Sequence, residues 1–436
     1  MLKTTSIIRP IRRPSSCCQG FAAAILNGVN SRSREPSFHT GFTLSANQLK
    51  TRAEAINTDT LIIGGGPIGL SLAYHLSVLR NNDGSDITIV ERDPTYARAS
   101  AVLSAGGIRQ QFSLRQNVEM SLYGRDFLRN ASELLRVEES EDDDVVDVQF
   151  QEHGYLFLAA SNEGKELLIQ NNQMQKSVGA DILLLSPAQL KDKFPWLNTD
   201  DILLGSFGSS GEGWFDPWSL LRGLKKKCQS MGVNFIMGYP VQSVRDEQSG
   251  YITSLDVMCQ MQQIRRYNVN NVVNAAGAHC QELMNVIAGE KGLFYAIPVE
   301  PRKRSIFFFH CQSQQSQEHI VPNVAPLTIC PKQNVYFRSE GVVSLKKEPT
   351  GNFLCGVSPS EEVDGPIQDM QELDYADHDL FDEVIWPALY HRVPAFGELK
   401  LKRSWAGLYE YNTIDQNGII DFHPEMPNVL MVNGFR

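Results

Sequence analysis

The chain has 436 residues, 42% of them hydrophobic, and a formal net charge of −10. That length suits two or three packed units at about 100–200 residues each; no apolar run reaches the ~18 residues of a membrane span; and the acidic balance excludes a general nucleic-acid binder. The eight cysteines form no C-x-x-C pair, which excludes a disulfide framework or zinc site, and no metal cluster is expected.

The first 52 residues depart from this average. They carry Lys3, Arg9, Arg12, Arg13, Arg32, Arg34, Lys50 and Arg52 against Glu35 alone, with seven serines. Such an Arg-rich, Ser-rich, acid-poor leader has the composition of a mitochondrial transit peptide; the alternative is a basic tail that targets nothing. Order begins near Asn57. A β-branched strand at Thr60–Ile63, a glycine turn, a helix over Ile68–Leu79 and a second strand, "ITIVERD", make one βαβ unit and imply a parallel sheet. Small residues and the pair Gly106-Gly107 follow, then a helix over Leu114–Leu135 and an acidic run in "RVEESEDDDVVD". Next come a strand in "GYLFLAA", a strand–helix pair in "ILLLSPAQLKDKFPWL", a helix after Pro217 and a strand ending at Val241 or Val244. "NNVVNAAGAHC" reads as a strand, a small-residue turn and a helix. A β-rich stretch includes "PRKRSIFFFHC", "NVYFRSEG" and "NFLCGVS", with loops over 312–331. A helix over Asp377–His391 and the strands "LKLKRSWAGLYE" and "NVLMVNG" close the chain.

Gly64, Gly66 and Gly69 match G-x-G-x-x-G between a strand and a helix, where the mechanism needs it. The first glycine makes the turn, the second admits a pyrophosphate, the third lets helix and strand pack. Glu91 ends the next strand, placed to accept hydrogen bonds from an adenosine ribose and to repel a 2′-phosphate. The alternative is a tight turn without a ligand. The small residues Ala99, Ser100, Ser104, Gly106 and Gly107 suit a bulky ring better than a plain NAD domain does, and "VVNAAGA" offers a second close approach.

Together these segments resemble the D-amino-acid-oxidase-like FAD superfamily, which includes sarcosine and dimethylglycine dehydrogenases. The strings "VERDPTYARAS", "SAGGIRQQFSL", "KFPWLNT", "EGWFDPWSLLRGL", "VNAAGA", "PVEPRKR", "VPAF" and "WAGLYEYNTIDQNG" resemble its mitochondrial branch of FAD-dependent oxidoreductase domain proteins linked to respiratory complex I assembly. The resemblance implies an α/β fold in which a Rossmann-like FAD domain is interleaved with a β-rich substrate domain. Its expected parts are a leader (1–52), FAD-binding segments (57–150, 206–292 and 401–436) and substrate-domain segments (151–205 and 293–400). FAD would contact Gly64, Gly66, Pro67, Ile68, Gly69, Glu91 and Arg92, then Ala99, Ser100, Gly106, Gly107 and Ile108. Val241 would pair its backbone with adenine, Ala276 and Gly277 would pack near the pyrophosphate, and Gly434 would complete the site. Leu103 and Leu408 stand where relatives carry a covalent histidine or cysteine, so FAD is expected to be non-covalent. Leu354 and Cys355 stand near an oxidase lysine, which leans towards a dehydrogenase.

Two roles follow from the resemblance: assembly or stability of complex I, through its subunits or assembly intermediates, and dehydrogenation of a small secondary amine or N-methyl amino acid. The expected location is the mitochondrial matrix or the matrix side of the inner membrane, with peripheral membrane association and no nucleic-acid partner. Arg109, Arg338 and Tyr409 are the catalytic candidates; each has a structural alternative, a salt bridge for the arginines and packing for the tyrosine. Trp405, Tyr409 and Tyr411 should share one strand face. Arg302, Lys303 and Arg304 read as an exposed basic face or partner patch. Relatives continue past Gly434-Phe435, so the resemblance implies a shortened C terminus.

Overall fold

The computed structural model describes residues 54–137, 145–289, 292–311, 320–341 and 350–435. The leader, most of the acidic run and Arg436 lie outside the described residues.

The glycine motif sits on a seven-stranded sheet. Asn234–Met237, Ile87–Glu91, Ile56–Ile63, the strand Ile264–Asn274 and the strand Met426–Asn433 lie side by side in parallel, with Ile419–His423 antiparallel at the edge. Neighbouring residues alternate between two buried faces. Ile62, Val273, Leu430 and Val432 pack against the helices Pro67–Leu79 and Pro217–Ser230. Leu61, Ile63, Val272, Val429 and Met431 pack against the helix Cys280–Ala288. Burial on both faces explains the unbroken apolar runs of these strands. Beyond Met237 the strand Asn234–Arg245 leaves its parallel partner and pairs with Ile252–Cys259, which in turn pairs with Ile264–Asn268. This antiparallel layer was not expected, because no reading of the sequence assigned a strand to Ile252–Cys259.

The second sheet has eight strands in the order Lys400–Asn412, Val299–His310, Asn352–Val357, Val335–Ser339, Leu327–Ile329, Tyr155–Ala159, Leu204–Gly208 and Ile182–Leu185. One face carries Phe307, Phe309, Phe337, Phe353, Cys355, Leu156 and Leu158 into a core closed by Phe381, Ile385, Leu389 and Phe396. The helix expected over Asp377–His391 runs from His378 to Arg392 with a π turn at Phe381–Ile385. Pro387 donates no N–H there, which suits a widened turn. The helix expected over Leu114–Leu135 breaks at Asn130 into Arg115–Arg129 and Ala131–Leu134.

The α/β architecture with two interleaved sheets is as expected. The strand Lys400–Asn412 belongs to the eight-stranded sheet, so the expected boundary at residue 401 cuts through a strand. Leu327–Ile329 is likewise a strand inside the expected loop over 312–331.

Candidate cofactor and substrate site

The first turn is built by contacts that admit no side chain. Gly64 has φ +110°, and a Cβ there would lie 2.2 Å from the Ala275 carbonyl oxygen. Gly66 caps the helix Pro67–Leu79, and a Cβ on it would meet nothing within 4 Å. The space beside Gly66 is therefore open where the free N–H groups of the helix start point, a cradle that fits a pyrophosphate. Pro67 occupies the first helical turn, where its missing N–H costs nothing. Ile68 lies at the margin of the core, and Gly69 approaches Gly64 too closely for a Cβ.

Glu91 meets this turn directly. Its Oε2 accepts the Gly65 N–H at 2.8 Å and its Oε1 accepts the Asp93 N–H at 2.8 Å. Each oxygen keeps a lone pair for a ribose hydroxyl. Arg92 is exposed beyond the strand end, while Ala99 and Ser100 lie half-buried in the following turn. The Gly64 N–H donates to Val90 and the Ala275 N–H to Ile63, so the turn, Glu91 and the Ala275–Gly277 loop converge. Val241 stands apart on the strand beside Glu91. The ladder slips between Pro240 and Gln242, leaving Val241 without a cross-strand partner and its backbone available.

The other face of the eight-stranded sheet lies opposite. Cross-strand register groups Arg304 with Gly407, Ile306 with Trp405 and Gly356, and Gly356 with Tyr336. Arg302 pairs with Tyr409, Leu354 with Arg338, and Leu327 with Tyr155. Trp405, Tyr409 and Tyr411 share this face, as the alternation implied. The segment Leu103–Gln111 is pinned across it. The Trp405 indole donates to the Leu103 carbonyl at 2.8 Å, and the Arg338 guanidinium donates twice to the Ala105 carbonyl, at 3.0 and 2.8 Å. A Cβ on Gly107 would meet the Tyr155 hydroxyl at 2.3 Å. Gly107 and Ile108 pair with Trp214 and Gly213. A cavity of about 320 Å³ remains between segment and sheet, lined in part by Ser104, Trp214, Arg338, Leu354 and Trp405.

The three catalytic candidates differ in how free they are. Arg338 is buried; it stacks on Trp214 with 5.0 Å to the ring centre and also donates to Ser339 and Glu340. It is occupied in holding the Ala105 turn. Arg109 makes no ion pair among the described residues; its guanidinium lies 4.7 Å from the Phe112 ring centre and 5.3 Å from that of Phe157. Tyr409 lies under Arg304, 4.7 Å from ring centre to guanidinium. The expected exposed basic patch is corrected here. Arg302 and Arg304 are buried; Arg304 binds Asp364 through two hydrogen bonds of 2.7 and 2.6 Å, and Arg302 binds Glu300 at 2.6 Å.

Four residues were not singled out in the sequence. Burial pushes the Tyr155 and Tyr336 hydroxyls above their ordinary range; Tyr409 raises both further, and Tyr155 also raises Tyr336. Burial pushes the Glu212 carboxyl up to about 7, although it accepts the Gln110 and Gln111 N–H groups and the Gln111 amide. Burial also pushes Glu410 up to about 7. The only signal for Glu212 was a glycine on each side of it; register alone places the tyrosines. Leu354 faces the cavity, whereas Cys355 points into the opposite core, where burial raises its thiol.

Residues 59–436 match the family described as FAD dependent oxidoreductase. A Bos taurus protein, FAD-dependent oxidoreductase domain-containing protein 1, is 43% identical over 397 residues, 87% of this chain and 77% of that protein. The mitochondrial dimethylglycine dehydrogenase of Rattus norvegicus is 29% identical over 251 residues, 58% of this chain and 26% of that enzyme. The fold is similar to the crystal structure of L-proline dehydrogenase from P. horikoshii, with a TM-score of 0.69 at 21% identity, covering 87% of this chain and 88% of that one.

Proposed function

The chain belongs to the FAD-dependent oxidoreductase family, and we propose that it is a mitochondrial flavoprotein serving the assembly or stability of respiratory complex I. FAD would be held by Gly64, Gly66, Pro67, Ile68, Gly69, Glu91 and Arg92, with adenine against the Val241 backbone. Ala276 and Gly277 would pack near the pyrophosphate, Ala99, Ser100, Gly106, Gly107 and Ile108 would line the stretch from phosphate to flavin, and Gly434 would lie towards the ring end. When bound, FAD supplies two-electron chemistry. The chain supplies binding and exclusion of water by the pinned Leu103–Gln111 segment. The apolar side chains of Leu103 and Leu408 can form no bond to the cofactor.

One observation carries this reading. The cofactor turn is complete, yet three buried arginines of the facing sheet are spent on structure: Arg338 on Ala105 and Glu340, Arg304 on Asp364, Arg302 on Glu300. Arg109 holds no ion pair among the described residues and is left for a carboxylate, with Tyr155 beside it. Such a site favours a scaffold that keeps its FAD over a fast general dehydrogenase. Mitochondrial placement is supported by the leader composition and by the dimethylglycine dehydrogenase likeness. The second reading, oxidation of a small N-methyl amino acid, is favoured by the same free arginine.

The test begins with a visible spectrum of the purified chain. Bound flavin that no secondary amine reduces, with co-purification of complex I intermediates from mitochondria, is expected. Rapid reduction by sarcosine-like amines would replace the assembly reading with the enzyme reading. A folded, colourless protein that takes up no FAD would remove both.

A further inference from the structure

The parallel strands end side by side, in order, at Glu91, at Gly64, at Ala275–Gly277 and at Gly434. Ligands on such sheets lie across the carboxyl ends of the strands. A dinucleotide with its ribose at Glu91 and its pyrophosphate at Gly64 therefore runs on past Gly277 and Gly434 with its flavin end. A buried acid stands there. Glu410 Oε2 accepts the Gly434 N–H at 2.8 Å and the Phe435 N–H at 3.4 Å. Glu410 Oε1 accepts nothing from the described residues and lies 3.2 Å from where a Cβ on Gly277 would stand. The residue is only 9% exposed, and this oxygen, unlike the fully buried unpartnered atoms, still faces an opening that a ligand can reach.

We propose that Glu410 contacts the flavin end of FAD, where Oε1 accepts a hydrogen bond from a ring N–H or a ribityl hydroxyl and its negative charge holds the cofactor towards the oxidised form. The proposal rests on the FAD reading above. Two-electron reduction adds negative charge to the ring, and an anion beside it opposes that charge. Dithionite would deliver two electrons to the ring and solvent one proton. A second proton, from solvent, would neutralise Glu410, and no bond to the protein forms or breaks. The site is suited to that exchange, since burial pushes this carboxyl up to about 7, where it gains or loses its proton around neutral pH. The ionisable side chains on the elements packed around it are engaged or neutral. Burial keeps the Cys280 thiol up at about 12, His279 pairs with Glu282, and Glu300 pairs with Arg302.

The experiment uses the full chain loaded with FAD, in wild-type, Glu410→Gln and Glu410→Asp forms. Stepwise dithionite titration against a reference dye gives the potential, and absorption of the oxidised flavin is followed from about pH 5 to about pH 9. The Gln variant is expected to be reduced at a higher potential and to bind FAD about tenfold more weakly; the Asp variant should lie between. The wild-type flavin band should shift with a midpoint near neutrality, and this shift should vanish in Glu410→Gln. An unchanged potential in a flavin-loaded Gln variant overturns the proposal. So does a wild-type flavin band indifferent to pH, a result that needs no variant to fold. A wild-type chain that takes up no FAD overturns both this proposal and the reading beneath it.

Discussion

At Gly64 and Gly66 the same substitution should have opposite consequences. Alanine at Gly64 forces a Cβ onto the Ala275 carbonyl in a left-handed backbone, so it should destabilise the fold by about 1–3 kcal/mol and abolish FAD uptake. Alanine at Gly66 enters open space, so thermal unfolding of the FAD-free protein should stay unchanged while FAD affinity falls about tenfold or more. Calorimetry and flavin fluorescence quenching separate the two. Glu212 makes a pH prediction. Its carboxyl titrates at about 7 in the fold against an ordinary 4.5, so the fold holds its proton more tightly than the unfolded chain. The stability it contributes is full below the ordinary value and is lost as pH rises through 7. Glu212→Gln should remove up to about 3 kcal/mol of that decline between acid and neutral pH, read by urea unfolding across the range.

At the level of elements, the segment Leu103–Gln111 has anchors from distant parts of the chain: Trp405, Arg338 and Glu212. Arg338→Ala leaves the Ala105 and Ser339 carbonyls and Glu340 without their donor, and should cost about 3–5 kcal/mol together with FAD affinity. Arg109→Gln should leave urea stability within about 0.5 kcal/mol, because that guanidinium holds no ion pair. If Arg109→Gln proves the more damaging to stability, the division between anchor and free cation is wrong. The sequence made the βαβ unit legible because Gly64, Gly66 and Gly69 fall between β-branched strands whose both faces are apolar. It concealed Leu327–Ile329, too short for any alternation, and Leu204–Gly208, where two glycines thin the pattern. Arg304 looked like part of a surface patch because its partner Asp364 lies 60 residues away in a segment with no pattern of its own. Tyr155 and Tyr336 became site residues only through a register that joins strands from opposite halves of the substrate sheet.

On the scale of the whole molecule, FAD should stabilise both sheets together, because the proposed cofactor track runs along strand ends of one and under a segment pinned to the other. At a free FAD concentration about 100 times its Kd the gain is about 2.7 kcal/mol. Hydrogen exchange should show protection rising at Val272–Asn274 and at Phe307–Phe309 alike; protection confined to the first sheet would mean that the two unfold independently.

The strand Ile264–Asn274 pairs on one side with Ile56–Ile63 and on the other with Met426–Asn433, and the eight-stranded sheet takes Tyr155–Ala159 from early in the chain and Lys400–Asn412 from late in it. Neither sheet is complete until the last strands leave the ribosome or a translocation pore. Until then Val272 lacks its strand partner Val429 and Phe307 its strand partner Ser404, and closing contacts across such separations is slow. A nascent chain of this topology is expected to stay aggregation-prone until those strands are made, which refolding yield at rising concentration would read.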